Sequence, residues 1–311
     1  MLPIVTLTLN PAVDKSTRAE RVVADEKIRC EPPRREPGGG GLNVSRAIDR
    51  LGGPTRALYT AGGHTGALLR SLLDDEGVDH TPLEIEDWTR ENMVVYERST
   101  DRQFRFGMPG PALTETERAA CLSALRDLEP SPDYLVASGS LPRDVPDDTY
   151  AAVAETADAL GARAVLDTSG TALRAAVEAG WYLLKPNLRE LEHLADTALD
   201  TEPQRIDAAR TFIDRGWCEV VVLSMGASGA LLITADRAEH VRSPTVSIES
   251  RVGAGDSMVG GLTLALARGH DLATAVRFGV AAGAAAVTTP GTELCRRDDT
   301  EALFERMRPG S

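Results

Sequence analysis

Lysine is nearly missing from this chain: of 34 basic residues only Lys15, Lys27 and Lys185 are lysine, and acidic residues leave a net charge of −13. Such an acidic balance argues against nucleic acid as the main partner. Depleted lysine with excess acid fits either a high-GC genome or a salty cytoplasm. Cysteine is scarce too. The four at positions 30, 121, 218 and 295 show no C-x-x-C spacing, so neither a disulfide framework nor a zinc site is indicated and a reducing cytosol fits. Long apolar runs are absent: FGVAAGAAAVTTP, near 278 to 290, is too short and alanine-rich to cross a bilayer. The opening MLPIVTLTLNPAVD has no basic flank and reads as a first strand rather than a signal peptide. A cytoplasmic protein with no membrane partner is expected. No glycine loop here ends in Lys-Ser/Thr, which argues against a P-loop, and GAGDSM does not complete G-x-G-x-x-G, which weakens a dinucleotide reading.

What remains is 311 residues with 42% apolar content, enough for one large core with an appendage. From about residue 130, strand-like runs (YLVASG, ARAVLD, WYLLKPN, CEVVVLSMG) alternate with helix-like ones (TYAAVAETADALG, TALRAAVEAG, LRELEHLAD). That rhythm predicts βαβ units around a mainly parallel sheet covered on both faces, with functional residues at the carboxyl ends of strands. Residues 17–36 and 91–108 break it. They read as extended segments standing apart, the second a hairpin turning at Ser-Thr-Asp-Arg, together a small lid. The window Lys15 to Arg35 carries seven basic and four acidic side chains, either a solvated mixed face or part of a binding surface.

Five segments can carry chemistry. RVGAGDSMVGG, Arg251 to Gly261, gathers glycines around Asp256 before an apolar run. If Gly253, Ala254, Gly255 and Asp256 open a helix there, their amides and the helix dipole make an anion site. PGGGGLNVSRAIDRLGG has four consecutive glycines, Gly38 to Gly41, ahead of Asn43, better explained by a ligand's close passage or a hinge than by a turn alone. In KPNLRE, Asn187 and Glu190 are three apart. They would either face one space and hold hydrated Mg²⁺ or form a helix cap. SMGASG, Ser224 to Gly229, is either a phosphate-approach loop or a plain strand-to-strand turn, and Asp14 in TLNPAVD either accepts bonds from polyol hydroxyls or caps a turn.

The ordered set closely resembles the ribokinase-like sugar kinases of the PfkB family, phosphofructokinase branch. PGGGGLNVSRAIDRLGG matches the family's N-terminal glycine motif, SRVGAGDSMVGG its C-terminal one, and NLRE its N-x-x-E. TLTLNPAVD, KIRCEPPRREPGGGGLNVSRAI, FRFGMPGPAL, SGSLP, VGAGDSMVGG and GTELCRRDDT extend the likeness over nearly the whole chain. The resemblance implies one kinase domain, 1–311, a three-layer α/β/α sandwich with lid segments at about 14–36 and 88–108 that pair two subunits. It implies Asp256 as catalytic base beside the amides of Gly253, Ala254 and Gly255. Sugar phosphate would lie against Asp14, Lys27, Arg29, Gly38, Gly39, Asn43, Arg90 and Gly139. ATP would lie against Lys185, Asn187, Ser224, Gly226, Gly229, Gly279 and Gly283, with Mg²⁺ near Asn187 and Glu190. K⁺ would sit among Ser250, Val252, Ala286 and Gly291, where Arg251 replaces the threonine many relatives carry.

Three functions compete: a sugar-phosphate kinase, a kinase of an uncharged sugar or nucleoside, and a non-catalytic sugar-phosphate sensor. The lid cations Lys27, Arg29 and Arg90 favour a phosphorylated acceptor, and an intact Asp256 argues against a pure binder. Within the resemblance, Gly40 is the 6-phosphofructokinase pattern, whereas 1-phosphofructokinases and tagatose-6-phosphate kinases tend to have lysine there, so fructose 6-phosphate is the expected acceptor.

Overall fold

A computed structural model describes residues 4–307. Its strands are β1 (Ile4–Thr8), β2 (Ala12–Ala19), β3 (Arg34–Gly38), β4 (Thr55–Ala61), β5 (His80–Glu84), β6 (Arg90–Glu97), β7 (Arg102–Phe106), β8 (Tyr134–Ser138), β9 (Arg163–Asp167), β10 (Trp181–Leu184), β11 (Cys218–Ser224), β12 (Ala230–Ile233) and β13 (Ala238–Val241). The helices are α1 (Gly40–Arg50), α2 (Gly63–Glu76), α3 (Glu115–Arg126), α4 (Thr149–Ala159), α5 (Gly170–Ala176), α6 (Leu188–Ala195), α7 (Glu202–Asp214), α8 (Ala254–Ala267), α9 (Leu272–Ala286) and α10 (Arg297–Arg306).

Nine strands form one sheet in the order β13-β12-β11-β10-β9-β8-β1-β4-β5. All its pairings are parallel except those of β12 with its two neighbours. Strand alternation decides the layers. Val5 and Leu7 of β1 join Leu135 and Ala137 of β8 in the core under α3 to α7, while Ile4, Tyr134 and Val136 face α1, α8, α9 and α10. This is a three-layer α/β/α arrangement, as expected of strands buried on both faces. The buried hydroxyls of Thr6, Ser45 and Thr55 bond in series at 2.9 and 2.8 Å, satisfying the polar groups where α1 lies on β1 and β4.

The four-stranded second sheet, β3-β2-β6-β7, springs from the end of β1. The hairpin expected at 91–108 is β6 and β7. The other extended segment, expected at 17–36, differs: regular pairing covers Ala12–Ala19 and Arg34–Gly38, and between them only Cys30 bridges back to Ala19. Pro32 and Pro33 have no amide to donate to a ladder, and Asp25 takes a positive φ of 60°. No helix among the described residues is long and apolar enough to cross a membrane.

Candidate active site

Helix α8 begins without a side-chain cap. Gly253, at φ 75°, makes the turn into it, and Asp256 is the acidic residue of its first turn. The leading amides of a helix have no partner inside it, so Ala254, Gly255 and Asp256 present N–H groups to whatever lies in front. Lys185, only 6% exposed, closes off β10. Its ammonium is 3.0 Å from Asp167 at the end of β9 and would lie 3.9 Å from a Cβ placed on Gly255. Burial works most strongly against the Lys185 charge, but Asp167, helped by Glu190 and Asp256, holds the pKa above the ordinary lysine range. Asp256 accepts from Asn43 Nδ2 at 2.9 Å. Its pKa is pushed up to about 6, by burial first and then by Asp167, against the opposing effects of Asn43 and Lys185. A carboxylate so tuned takes up a proton near neutrality.

On the small-sheet side, Asp14 of β2 accepts from Asn92 of β6 at 2.8 Å. Burial raises its pKa against Asn92, Arg90, Arg46 and Arg105. A Cβ on Gly38 would sit 2.3 Å from Asp14 Oδ2, so only glycine lets β3 pass this carboxylate. Gly39 takes φ 118° at the start of α1, and Gly139 takes φ 108° at the end of β8. Arg90 spends three N–H groups on the carbonyls of Asn10, Met108 and Pro11, at 2.9, 3.1 and 3.4 Å. Two of its five donors are left for a ligand. Lys27 and Arg29 lie elsewhere. They are exposed in the loop before Cys30, which pairs with Ala19 at the far end of β2, about 23 Å of strand from Ala12 by the usual rise.

On the other side, Asn187, Ser224 and Gly226 line one cleft of about 640 Å³. SMGASG is a strand-to-strand turn joining antiparallel β11 and β12, where Gly229 takes φ 91° and a Cβ would strike the Val241 carbonyl at 2.0 Å. Asn187 and Glu190 form a reciprocal capping box at 2.8 and 3.0 Å, which commits Glu190 Oε2. Gly279 and Gly283 face α8: Cβ atoms there would meet the carbonyls of Met258 and Ala254 at 2.8 and 3.1 Å, so both serve helix approach, Gly283 directly behind the first residue of α8. Ser250 Oγ donates to the Gly291 carbonyl at 2.5 Å and accepts from Val252 N at 3.2 Å, while the Ala286 carbonyl accepts from Thr289 Oγ1 at 2.7 Å. Of the four residues expected to hold K⁺, the contacts thus show one hydroxyl and two carbonyl oxygens, all uncharged, while Val252 enters through its N–H.

A helix start facing a lysine–aspartate pair, with a second carboxylate, Asp14, near enough to raise the Asp256 pKa, is equipment for moving a charged group onto a hydroxyl. Residues 2–299 match the pfkB family carbohydrate kinases. The chain is 47% identical over 302 residues to ATP-dependent 6-phosphofructokinase isozyme 2 of Mycobacterium tuberculosis strain H37Rv, covering 97% of this chain and 89% of that protein. It is 44% identical to the Escherichia coli K12 protein of the same name, covering 98% of each. The chain belongs to the pfkB family. The crystal structure of phosphofructokinase-2 from Escherichia coli in complex with potassium superposes with a TM-score of 0.95 at 42% identity, covering 99% of both chains.

In this carbohydrate kinase several site residues escape a reading of the sequence. Asp167 ends ARAVLD, and its place at a strand's carboxyl end was the signal that could have found it. Asn92 and Arg105 could not be found so: they meet Asp14 only because β2 pairs with β6, and β6 with β7, in this register. Arg46 and Glu36 read as ordinary charged residues, yet both are buried, at 1% and 3% exposure.

Proposed function

We propose that this chain is an ATP-dependent 6-phosphofructokinase, transferring the γ-phosphoryl group of MgATP to the 1-hydroxyl of fructose 6-phosphate. The observation that carries the chemistry is Asp256 at the uncapped start of α8, its pKa pushed up to about 6. The hydroxyl loses its proton to Asp256 as it attacks. The transferring oxygens lie on the amides of Gly253 to Asp256, and Lys185, anchored by Asp167, neutralises the phosphate chain. Phosphoryl transfer asks for little beyond this positioning and charge neutralisation. ATP lies along the cleft of Asn187, Ser224 and Gly226, with Gly229 in the turn beside it and Gly283 acting only from behind α8. Glu190, through the oxygen its cap leaves free, holds water on the substrate's Mg²⁺. K⁺ would be held by oxygens of Ser250, Val252, Ala286 and Gly291, and would supply positive charge beside the anion-binding turn.

The sugar lies between Asp14, Gly38, Gly39, Asn43 and Gly139, its phosphate toward Arg90 and Arg105. Two points favour the 6-phosphate. The relatives named 6-phosphofructokinase are 47% and 44% identical, against 33% for the 1-phosphofructokinase of Bacillus subtilis. A Cβ at Gly40 would meet Ser138 Oγ at 2.4 Å and Gly139 N at 2.7 Å, so a lysine there would push the end of β8 aside. The Escherichia coli relative has been solved in complex with fructose-6-phosphate.

The small sheet acts as a lid and pairs two subunits. Met93 and Phe106, opposite each other in the ladder, are 41% and 43% exposed on the face away from Asp14. That apolar strip favours burial against a second copy, which would carry Lys27 and Arg29 to the neighbouring site. The Escherichia coli relative is described in a tetrameric inhibited form; the minimal functional unit proposed for this chain is the dimer, in the cytoplasm. An ADP-release assay over fructose 6-phosphate, fructose 1-phosphate, tagatose 6-phosphate and fructose tests the reading. A higher kcat/KM for any of the last three overturns the acceptor assignment.

A further inference from the structure

The sugar site proposed above lies between two features with no direct bond between them: the Asn43–Asp256 pair on one side and the Pro37–Gly38 corner against Asp14 on the other. One buried side chain touches both boundaries. Arg46, three residues after Asn43 on α1 and 1% exposed, donates from Nη1 to Asn43 Oδ1 at 3.1 Å and to the Pro37 carbonyl at 2.8 Å. Its Nε and Nη2 grip Glu76, the last residue of α2, at 2.6 Å each. Glu36 of β3 stands 3.9 Å from Nη2 and also receives the Thr292 hydroxyl from the loop after α9.

We propose that Arg46 is a positioning residue for the phosphoryl transfer. It fixes which way the Asn43 amide faces, and hence the seat of Asp256, and it sets the Pro37–Gly38 corner against Asp14.

The physical reason lies in the amide. An asparagine side chain can turn over at little intrinsic cost, because its oxygen and its NH₂ fill nearly the same space. In one orientation Asn43 donates to Asp256. In the other it turns a carbonyl oxygen toward a carboxylate, which repels it. A cation fixed at Oδ1 removes the second option, and the charge-assisted bond is stronger than a neutral one. Glu76 holds that cation in place, because bidentate pairing orients a guanidinium as a single point contact cannot. Packing α1 against α2 by itself asks for no such device: a buried ion pair is often no better for stability than apolar side chains of the same volume. The bonds to Asn43 and Pro37 are the ones packing leaves unexplained, and each holds a segment that abuts one of the two carboxylates, Asp256 and Asp14. The charged groups around Asp256 are Asp167, Lys185 and Asp14; none of them touches the Asn43 oxygen.

The inference rests on the transfer reaction proposed above, so the test joins kinetics to a readout that needs no turnover. Arg46→Lys keeps the charge but cannot serve Glu76, Asn43 and Pro37 together, and Glu76→Gln loosens the grip without removing the cation. In the full-length enzyme, either change should lower kcat/KM for the hexose phosphate by about 10-fold or more while the KM for ATP stays within about twofold. In an Asn43→Ala background the Arg46→Lys change should cost less, because the part of its effect that passes through Asn43 is already lost and only the Pro37 contact remains. In protein labelled with ¹⁵N-asparagine, the Asn43 side-chain NH₂ signals, identified by their loss in Asn43→Ala, should move in both variants. Additive costs in the double mutant overturn the proposal, as do unmoved Asn43 signals or a kcat that falls only with the folded fraction while both KM values hold. An unmodified enzyme that phosphorylates none of the hexose phosphates refutes the function reading instead, and the Asn43 signals then still decide the role of Arg46.

Discussion

Replacing Asp256 with asparagine keeps the shape of the side chain and lets it still accept from Asn43, while removing its charge and its basicity. Two consequences of opposite sign follow. Turnover should fall by about 10²-fold or more, because no group remains to take the hydroxyl proton. Stability should rise. The Asp256 pKa goes from an ordinary 3.8 to about 6 on folding, so the folded state holds its proton more tightly than the unfolded one. The stability this contributes is complete below pH 3.8 and is lost as pH rises to 6. Above pH 6 the ionised carboxylate therefore costs the native state about 3 kcal/mol at most. The asparagine variant is free of that cost and should melt higher at pH 8, by on the order of 5 °C, while the two proteins converge near pH 4. The same pKa sets the acid limb of activity: kcat/KM of the unmodified enzyme should fall as pH drops through about 6, following protonation of the base. Differential scanning fluorimetry at both pH values and a coupled ADP assay read these out. Near-normal turnover in the variant, or a variant that melts lower at pH 8, would refute the reasoning.

Three further outcomes are expected. Gly38→Ala drives a methyl group into Asp14, at 2.3 Å from its carboxylate oxygen, and overpacking of this kind costs about 1–3 kcal/mol. The KM for the phosphosugar should rise at least about 10-fold with the ATP KM unchanged; an unaltered sugar KM would remove Asp14 from the site. Glu190→Gln preserves the capping box, since an amide oxygen still accepts from Asn187 N, so a several-fold rise in the Mg²⁺ needed for half-maximal rate isolates the metal role. An identical Mg²⁺ titration would leave the pair as a cap alone. Mixing Lys27→Ala with Asp256→Asn protein should restore about a quarter of the unmodified rate after subunit exchange, because one site in each hybrid dimer is then intact; no recovery on mixing would argue that Lys27 acts within its own chain or not at all.

The sequence alone determined the parts of this protein whose cause is local. Runs such as YLVAS and AVLD are buried on both faces and bounded by turn residues, so strand identity and a parallel sheet followed from composition. The glycine clusters around Gly39 and Gly253 signalled close approach or a sharp bend, and the fold uses both glycines at positive φ, 118° and 75°, angles that other residues rarely take. The Asn187–Glu190 spacing was legible as a cap or as a metal site, and the bonds formed are those of the cap. What only the tertiary structure decided are meetings between segments far apart in the chain. Asn43 lies 213 residues from Asp256, and Arg90 reaches the carbonyl of Asn10 across 80 residues. Gly279 and Gly283, which the family resemblance puts near nucleotide, pack against α8 because two helices cross there. Lys27 and Arg29 look like neighbours of Asp14, but β2 carries the chain away from the site before they occur. Local sequence encodes backbone preference and burial; which charges meet depends on sheet order and register, and those are fixed by the whole core at once.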